Sequence, residues 1–222
     1  LDMKRIKAIV ILLLGVLAAV LFAFSGQKVA LESAAAYTID PNGALYLLSS
    51  DSTLTKVSVE GQLEWSLSLP TESEDGNSLR YGQIISDRSG SLYITSQEYK
   101  RQVNAMGVSE DIILTERIEA YDGDGVRQEP VLSVDKTSLS QYSTEGYILK
   151  VQTYGDLLLA VCRNEGQYEV VQADPYSEQA PTVLSTLRLE VGDENLQDCV
   201  ALPDGTLVYS TRGGRLTAVL PD

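Results

Sequence analysis

The chain of 222 residues contains no histidine at all. That removes the side chain best suited to proton transfer near neutral pH and the commonest metal ligand, so histidine triads and histidine-bound zinc are excluded. Cysteine is scarce, at two residues. Cys162 and Cys199 form the candidate pair for a disulfide in an oxidising compartment, and two separately buried thiols acting as small apolar side chains are the alternative. Basic residues are few, with 17 Lys and Arg against 31 Asp and Glu and a net charge of −14. Lys4, Arg5 and Lys7 but only one acid, Asp2, precede residue 8, which leaves −16 on the remainder. With no basic patch there is no counterion release to drive binding to a phosphate backbone, so nucleic acid is excluded as a partner. Also missing are a Gly-rich phosphate loop between strand and helix, and a base placed to activate a Ser or Cys nucleophile.

Long apolar runs are rare too, and there is one. Residues 8 to 24 hold 17 consecutive positions without a charged or strongly polar side chain. A bilayer core of ~30 Å needs ~20 helical residues, and Ile6 with the stem of Lys7 supplies the difference. The bases lie before the run, so the positive-inside tendency leaves residues 1–7 as a cytoplasmic tail and sends the chain after residue 24 across. The expectation is a single-pass signal-anchor helix at 8–24, a linker at 25–36 and an extracytoplasmic domain at 37–222 in the cell membrane. A cleaved signal peptide is the rival, since bases before an apolar run also describe a leader. Against it, the run exceeds the usual ~7–15 residues, and Phe22 and Phe24 crowd a cleavage site.

After Tyr37 no long segment of helical period appears. Short β-branched and aromatic runs alternate with Gly, Asn and Asp instead. From Tyr37 to Leu69 the pattern reads as a meander of four antiparallel strands: one ending at Ile39, a turn at Asp40-Pro41-Asn42-Gly43, strands at 44–48 and 54–59, a turn at Glu60-Gly61-Gln62, and a strand at 63–69. The same order returns from Ile84, through Asp87-Arg88-Ser89-Gly90, Leu92-Tyr93-Ile94, Ile118-Glu119-Ala120-Tyr121 and Asp122-Gly123-Asp124-Gly125. A looser copy covers 149–173, and a fourth begins at Cys199, turns at Pro203-Asp204-Gly205 and reaches Leu220 without a fourth strand. Repeats of ~40–50 residues mark propeller blades or solenoids.

The recurring Asp-x-x-Gly-x-Leu-Tyr, and after it Ala-Tyr-Asp-x-x-Gly, resembles the β-propeller repeats of the quinoprotein-like (PQQ-like) and Trp-Asp repeat families. The resemblance spans roughly Tyr37 to Leu220 and implies an all-β fold of about four four-stranded blades. Closed rings have ~4–8 blades, so further blades past Asp222 are expected. Quinoprotein-like proteins include dehydrogenases, but their cofactor-contact signature is absent here, and no cofactor, metal or enzymatic activity is expected.

Several local features invite a chemical reading. Asp122-Gly123-Asp124-Gly125 has the carboxylate spacing of a calcium loop but lacks its third acidic position and distal Glu, and reads as a blade turn. Glu72, Glu74 and Asp75 read as a solvated connector, and Trp65 as a core residue alternating with Leu63 and Leu67. The insertion at 97–115 breaks the repeat. It is either a partner-contact loop carrying Tyr99, Lys100 and Arg101 or a hairpin that lengthens its blade. The expected function is a binding, sensing or interaction module with a protein or small-molecule partner outside the cytoplasm; an envelope-assembly scaffold or a secreted propeller is the alternative.

Overall fold

The computed structural model describes residues 34–135, 147–164, 166–189 and 196–221. The basic tail and the apolar run at 8–24 lie outside them. Among the described residues no helix is long and apolar enough to cross a membrane.

Four antiparallel meander sheets succeed one another along the chain. The first comprises β1 (Ala34–Ile39), β2 (Leu45–Ser49), β3 (Thr53–Val57) and β4 (Leu63–Ser68). The second comprises β5 (Ser78–Ser86), β6 (Leu92–Val103), β7 (Ser109–Tyr121) and β8 (Leu132–Asp135). The third holds β9 (Ile148–Tyr154), β10 (Leu157–Asn164), β11 (Gln167–Ala173) and β12 (Thr182–Leu187). The fourth has three strands, β13 (Leu196–Ala201), β14 (Leu207–Thr211) and β15 (Leu216–Val219). Ala34 to Ala36, expected in the linker, belong to β1. They pair with Leu48 and Ser49 because small side chains fit the pleat beside the apolar β2. The third copy has a fourth strand, β12, that its polar, Pro-interrupted approach concealed.

Each sheet buries one face on its neighbour, and three cores result. Tyr46, Leu48 and Leu54 of the first sheet meet Ile84, Leu92, Ile94 and Tyr121 of the second. Tyr93, Ile118 and Ala120 meet Val151, Leu158, Ala160 and Cys162 across the next interface. Leu159, Val161, Tyr168 and Val170 then meet Cys199, Ala201, Leu207 and Tyr209. Strand β10 thus points Leu158, Ala160 and Cys162 one way and Leu159 and Val161 the other, which is why its sequence is a continuous apolar run rather than an alternation. Each fully buried Leu or Val contributes ~1.5–3 kcal/mol through removal from water.

The first strands line up: β1 lies against β5, β5 against β9, and β9 against β13. Sheets stacked in sequence through their innermost strands are propeller blades arranged as an arc. Two glutamines hold this inner row. Gln83 on β5 donates through Nε2 to the Leu149 carbonyl (2.6 Å) and accepts at Oε1 from the Val151 amide (3.0 Å). Gln152 on β9 repeats the exchange with the carbonyl (2.7 Å) and amide (3.1 Å) of Ala201 on β13. The Gln83 side chain is aimed by a bulge, in which Gly82 and Gln83 together oppose Thr95. A Cβ on Gly82 would come within 2.8 Å of Thr95 Oγ1, which accepts from the Gln83 amide.

One turn recurs throughout. At Asp40, Ser58, Ser73, Asp87, Asn104, Asp122, Leu202 and Thr211 the amide bonds to the carbonyl four residues on, and the glycine three residues on donates back. This is a type I turn closed by a glycine bulge. The glycines sit at positive φ, 88° at Gly43 and 85° at Gly90, where an L side chain is strained. In every case but Leu202 the first residue has a short polar side chain that accepts from backbone amides of its own turn, as Asp40 does from Asn42 (2.8 Å) and Ala44 (2.9 Å).

Candidate functional site

The insertion at 97–115 is no loose loop: β6 and β7 pair without a break in strand character from Leu92 and Tyr121 to Val103 and Ser109. Tyr99, Lys100 and Arg101 therefore lie on β6, not on a loop. Tyr99 and Arg101 already have contacts within the sheet. The Arg80 guanidinium stands 5.1 Å over the Tyr99 ring, and Arg101 Nε donates to Asp111 Oδ1 at 3.0 Å. Lys100 is exposed.

The tip carries a feature that the sequence pattern alone did not single out. Val103, Met106 and Val108 are 61%, 85% and 53% exposed, on a turn whose shape is set by Asn104, which accepts from the amides of Met106 and Val108 at 3.0 Å each. Three exposed apolar side chains thus share one hydrogen-bonded turn. Apolar residues flanking and entering a turn, Val103-Asn-x-Met106-Gly-Val108, were the signal available.

Below the tip, the base of this hairpin buries three carboxylates, each with structural donors. Glu98 accepts from Asn77 Nδ2 (2.9 Å) and Arg117 Nη2 (3.2 Å), and these hydrogen bonds hold it below the usual carboxylate range although burial opposes them. Glu119 accepts from Ser96 Oγ (2.9 Å) and Arg127 Nη2 (2.7 Å). Glu116, only 1% exposed, accepts from Gln97 and from the Tyr147 amide.

At the opposite end of the strands, side chains lock neighbouring sheets. The Gly123 carbonyl accepts from the Trp65 indole and from Lys56 Nζ, both at 3.2 Å. Trp65 packs on Gly125 and lies 6.0 Å from the Tyr46 ring, half-buried with Leu67 at the first interface, whereas Leu63, expected on the same core face, is 44% exposed. The Asp122 turn spends Oδ1 on the amides of Asp124 and Val126. Between the second and third sheets Asp87 Oδ2 accepts the hydroxyls of Tyr93 (2.8 Å) and Tyr176. Burial raises the Asp87 carboxyl, but hydrogen bonds from Tyr176, Ser89 and Tyr93 outweigh it and leave Asp87 below its ordinary value. Burial pushes the Tyr121 phenol up to about 12.

Beside this network a cleft of about 490 Å³ opens between the β7–β8 and β11–β12 connections, with Tyr93, Ala120, Asp122, Gln128, Glu129 and Tyr176 in its wall. A smaller cleft of about 240 Å³ lies at the Gly82 bulge, against Gln97, Glu116 and Ile148. No group of three or more carboxylate or thiol residues able to hold a metal occurs among the described residues.

The candidate disulfide is not formed. Cys162 lies on β10 in the core between the second and third sheets, and Cys199 on β13 in the core between the third and fourth, so sheet packing separates them. Burial pushes the Cys199 thiol up to about 11.

The class of protein defined by these elements is an all-β arc of propeller-type blades. No protein-family model matches the chain. Comparison with curated proteins finds no match either. Among solved structures it is similar to KlAtg21 in complex with the coiled coil of AgAtg16, at 8% identity and a TM-score of 0.48, over 83% of this chain and 51% of that one. It is also similar to virginiamycin B lyase from Staphylococcus aureus (10% identity, TM-score 0.42, 86% and 71% of the two chains). A third is the WD40 domain of coronin from Toxoplasma gondii, at 12% identity and a TM-score of 0.43, over 84% and 45%. The chain spans about half the length of the first and less of the third. At such identities and TM-scores these likenesses assign no partner, substrate or activity.

Proposed function

We propose that the chain is a non-enzymatic interaction module that presents the β6–β7 hairpin to a protein partner outside the cytoplasm and is held at a membrane by residues 8–24. The observation that carries the reading is the exposure of Val103, Met106 and Val108 together on a turn whose backbone Asn104 holds, because a preformed backbone lowers the ordering cost of presenting apolar side chains to a partner's apolar pocket. The carboxylates of the hairpin base, which a hydrolase would need poised in a cleft, are engaged by Arg117, Arg127 and the Tyr147 amide, which supports the non-enzymatic part. Membrane attachment is supported by the apolar run and the bases before it.

A photo-crosslinker at Met106, with one at exposed Glu74 as control, tests the surface in intact cells. The expected result is a discrete adduct at 106 alone, lost when Val108→Asp is added while the thermal midpoint stays within about 1–2 °C, since surface changes are worth about 0.5 kcal/mol or less. Identical adducts from both positions, or none, would overturn it. Alkaline carbonate extraction and the N-terminal mass of the mature chain check the anchor separately: a soluble chain beginning after residue 24 means cleavage.

A further inference from the structure

The cleft between the second and third sheets has an unusual polar inventory, because acceptors dominate it. The Tyr93 and Tyr176 hydroxyls are both directed at Asp87 Oδ2, and the Tyr176 oxygen also meets the hydroxyls of Ser89 (2.5 Å) and Ser91 (3.3 Å), so neither phenol offers a free donor, while Ser91 and Tyr121, which also line the cleft, carry hydroxyls that accept as well as donate. Gln128 commits Nε2 to the Val126 carbonyl (3.2 Å) and to Asp122 Oδ2 (3.4 Å), so its own carbonyl oxygen is what remains. Asp122 and Glu129 add carboxylates, and among the described residues no Lys or Arg lines the cleft. Ala120, Pro175 and the tyrosine rings supply apolar wall in a space of about 490 Å³, within the range that takes a small organic molecule. The chain's net charge of −14 concentrates cations around it.

We propose that this cleft binds a small organic cation: a primary ammonium group carrying a compact apolar body. The ammonium has three donors and no acceptor, which complements a wall rich in acceptors, and the apolar body covers Ala120, Pro175 and the ring of Tyr176. Tyr176 is a positioning residue as well as a wall. Its bond to Asp87 ties the β11–β12 connection to the β5–β6 turn and sets the width of the cleft.

The test uses three probes of one shape, phenethylamine, phenethyl alcohol and phenylacetate, titrated into the full chain and monitored by amide NMR shifts. The amine is expected to bind, with shifts at Ser91, Gln128, Glu129 and Tyr176, at least 5-fold more tightly than the alcohol, while phenylacetate produces no saturable shift. Glu129→Gln is expected to weaken the amine at least 3-fold and leave the alcohol unchanged; Glu74→Gln, remote from the cleft, changes neither. Equal binding of amine and alcohol would overturn the proposal, as would equal loss in both variants, which marks diffuse attraction to an acidic surface. Shifts confined to another region, or no binding by any probe, would also overturn it. The outcome is independent of the hairpin, which faces the other end of the strands.

Discussion

Single side chains do double duty because of what the chain lacks. Both phenylalanines, Phe22 and Phe24, fall in the apolar run, so the described cores use tyrosine as their large aromatic filler. A buried phenol needs a partner, and the turn aspartates supply it: Asp40 receives Tyr46 at 3.4 Å and Asp87 receives Tyr93 at 2.8 Å. The motif Asp-x-x-Gly-x-Leu-Tyr is thus a structural device in which one carboxylate oxygen shapes the turn and the other satisfies the core. Asp87→Ala leaves amides and phenols without an acceptor and is expected to cost ~2–3 kcal/mol in urea unfolding. Because hydrogen bonds depress the folded-state value, this increment is present above the unfolded carboxyl value of ~3.9 and is lost as pH falls through the lower folded one. The stability gap between the parent and Asp87→Asn should therefore hold nearly constant above ~pH 5 and narrow mainly as pH falls below ~3.9. The fourth copy breaks the device with Leu202, and there Asp204 shapes the turn instead, its Oδ1 accepting from the Thr206 amide at 2.9 Å.

At the scale of strands and turns, the inner row depends on the two glutamine clamps. Gln83→Leu removes a donor and an acceptor that pair with Leu149 and Val151, stranding both backbone groups at a sheet interface, and ~2 kcal/mol is the expected loss. Gln83→Leu and Gln152→Leu act at different interfaces, and their costs are expected to add within about 0.5 kcal/mol in a double-mutant cycle. A large coupling would mean the inner strands move as one unit. The β6–β7 hairpin shows how far element reading goes. A hairpin that lengthens its blade was one of two readings of the insertion at 97–115, and only the pairing of Tyr99, Lys100 and Arg101 with Ile113, Ile112 and Asp111 decided for it, because residues 97–103 carry no strict alternation to mark a strand.

For the whole molecule, the three cores of the described residues each join sheets that follow one another along the chain, the one-dimensional pattern in which stability is a sum of units and interfaces. The first sheet has one such interface among the described residues, and the chain's single Trp, Trp65, reports on it. Trp65 fluorescence is expected to change at a lower urea concentration than far-UV circular dichroism, and coincident transitions would show one cooperative unit instead.

The amino-acid sequence by itself determined the all-β class, the repeat, its glycine turns and the three-strand final sheet, since period and turn chemistry are local properties carried by adjacent residues. It also determined the exclusion of histidine chemistry. Only the tertiary structure decided that Cys162 and Cys199 fill different cores, that Gly123 accepts from Trp65 and Lys56, and that Asp87, Tyr93 and Tyr176 meet. Those pairings join residues up to 89 positions apart, and their distance depends on how one sheet face is laid on the next.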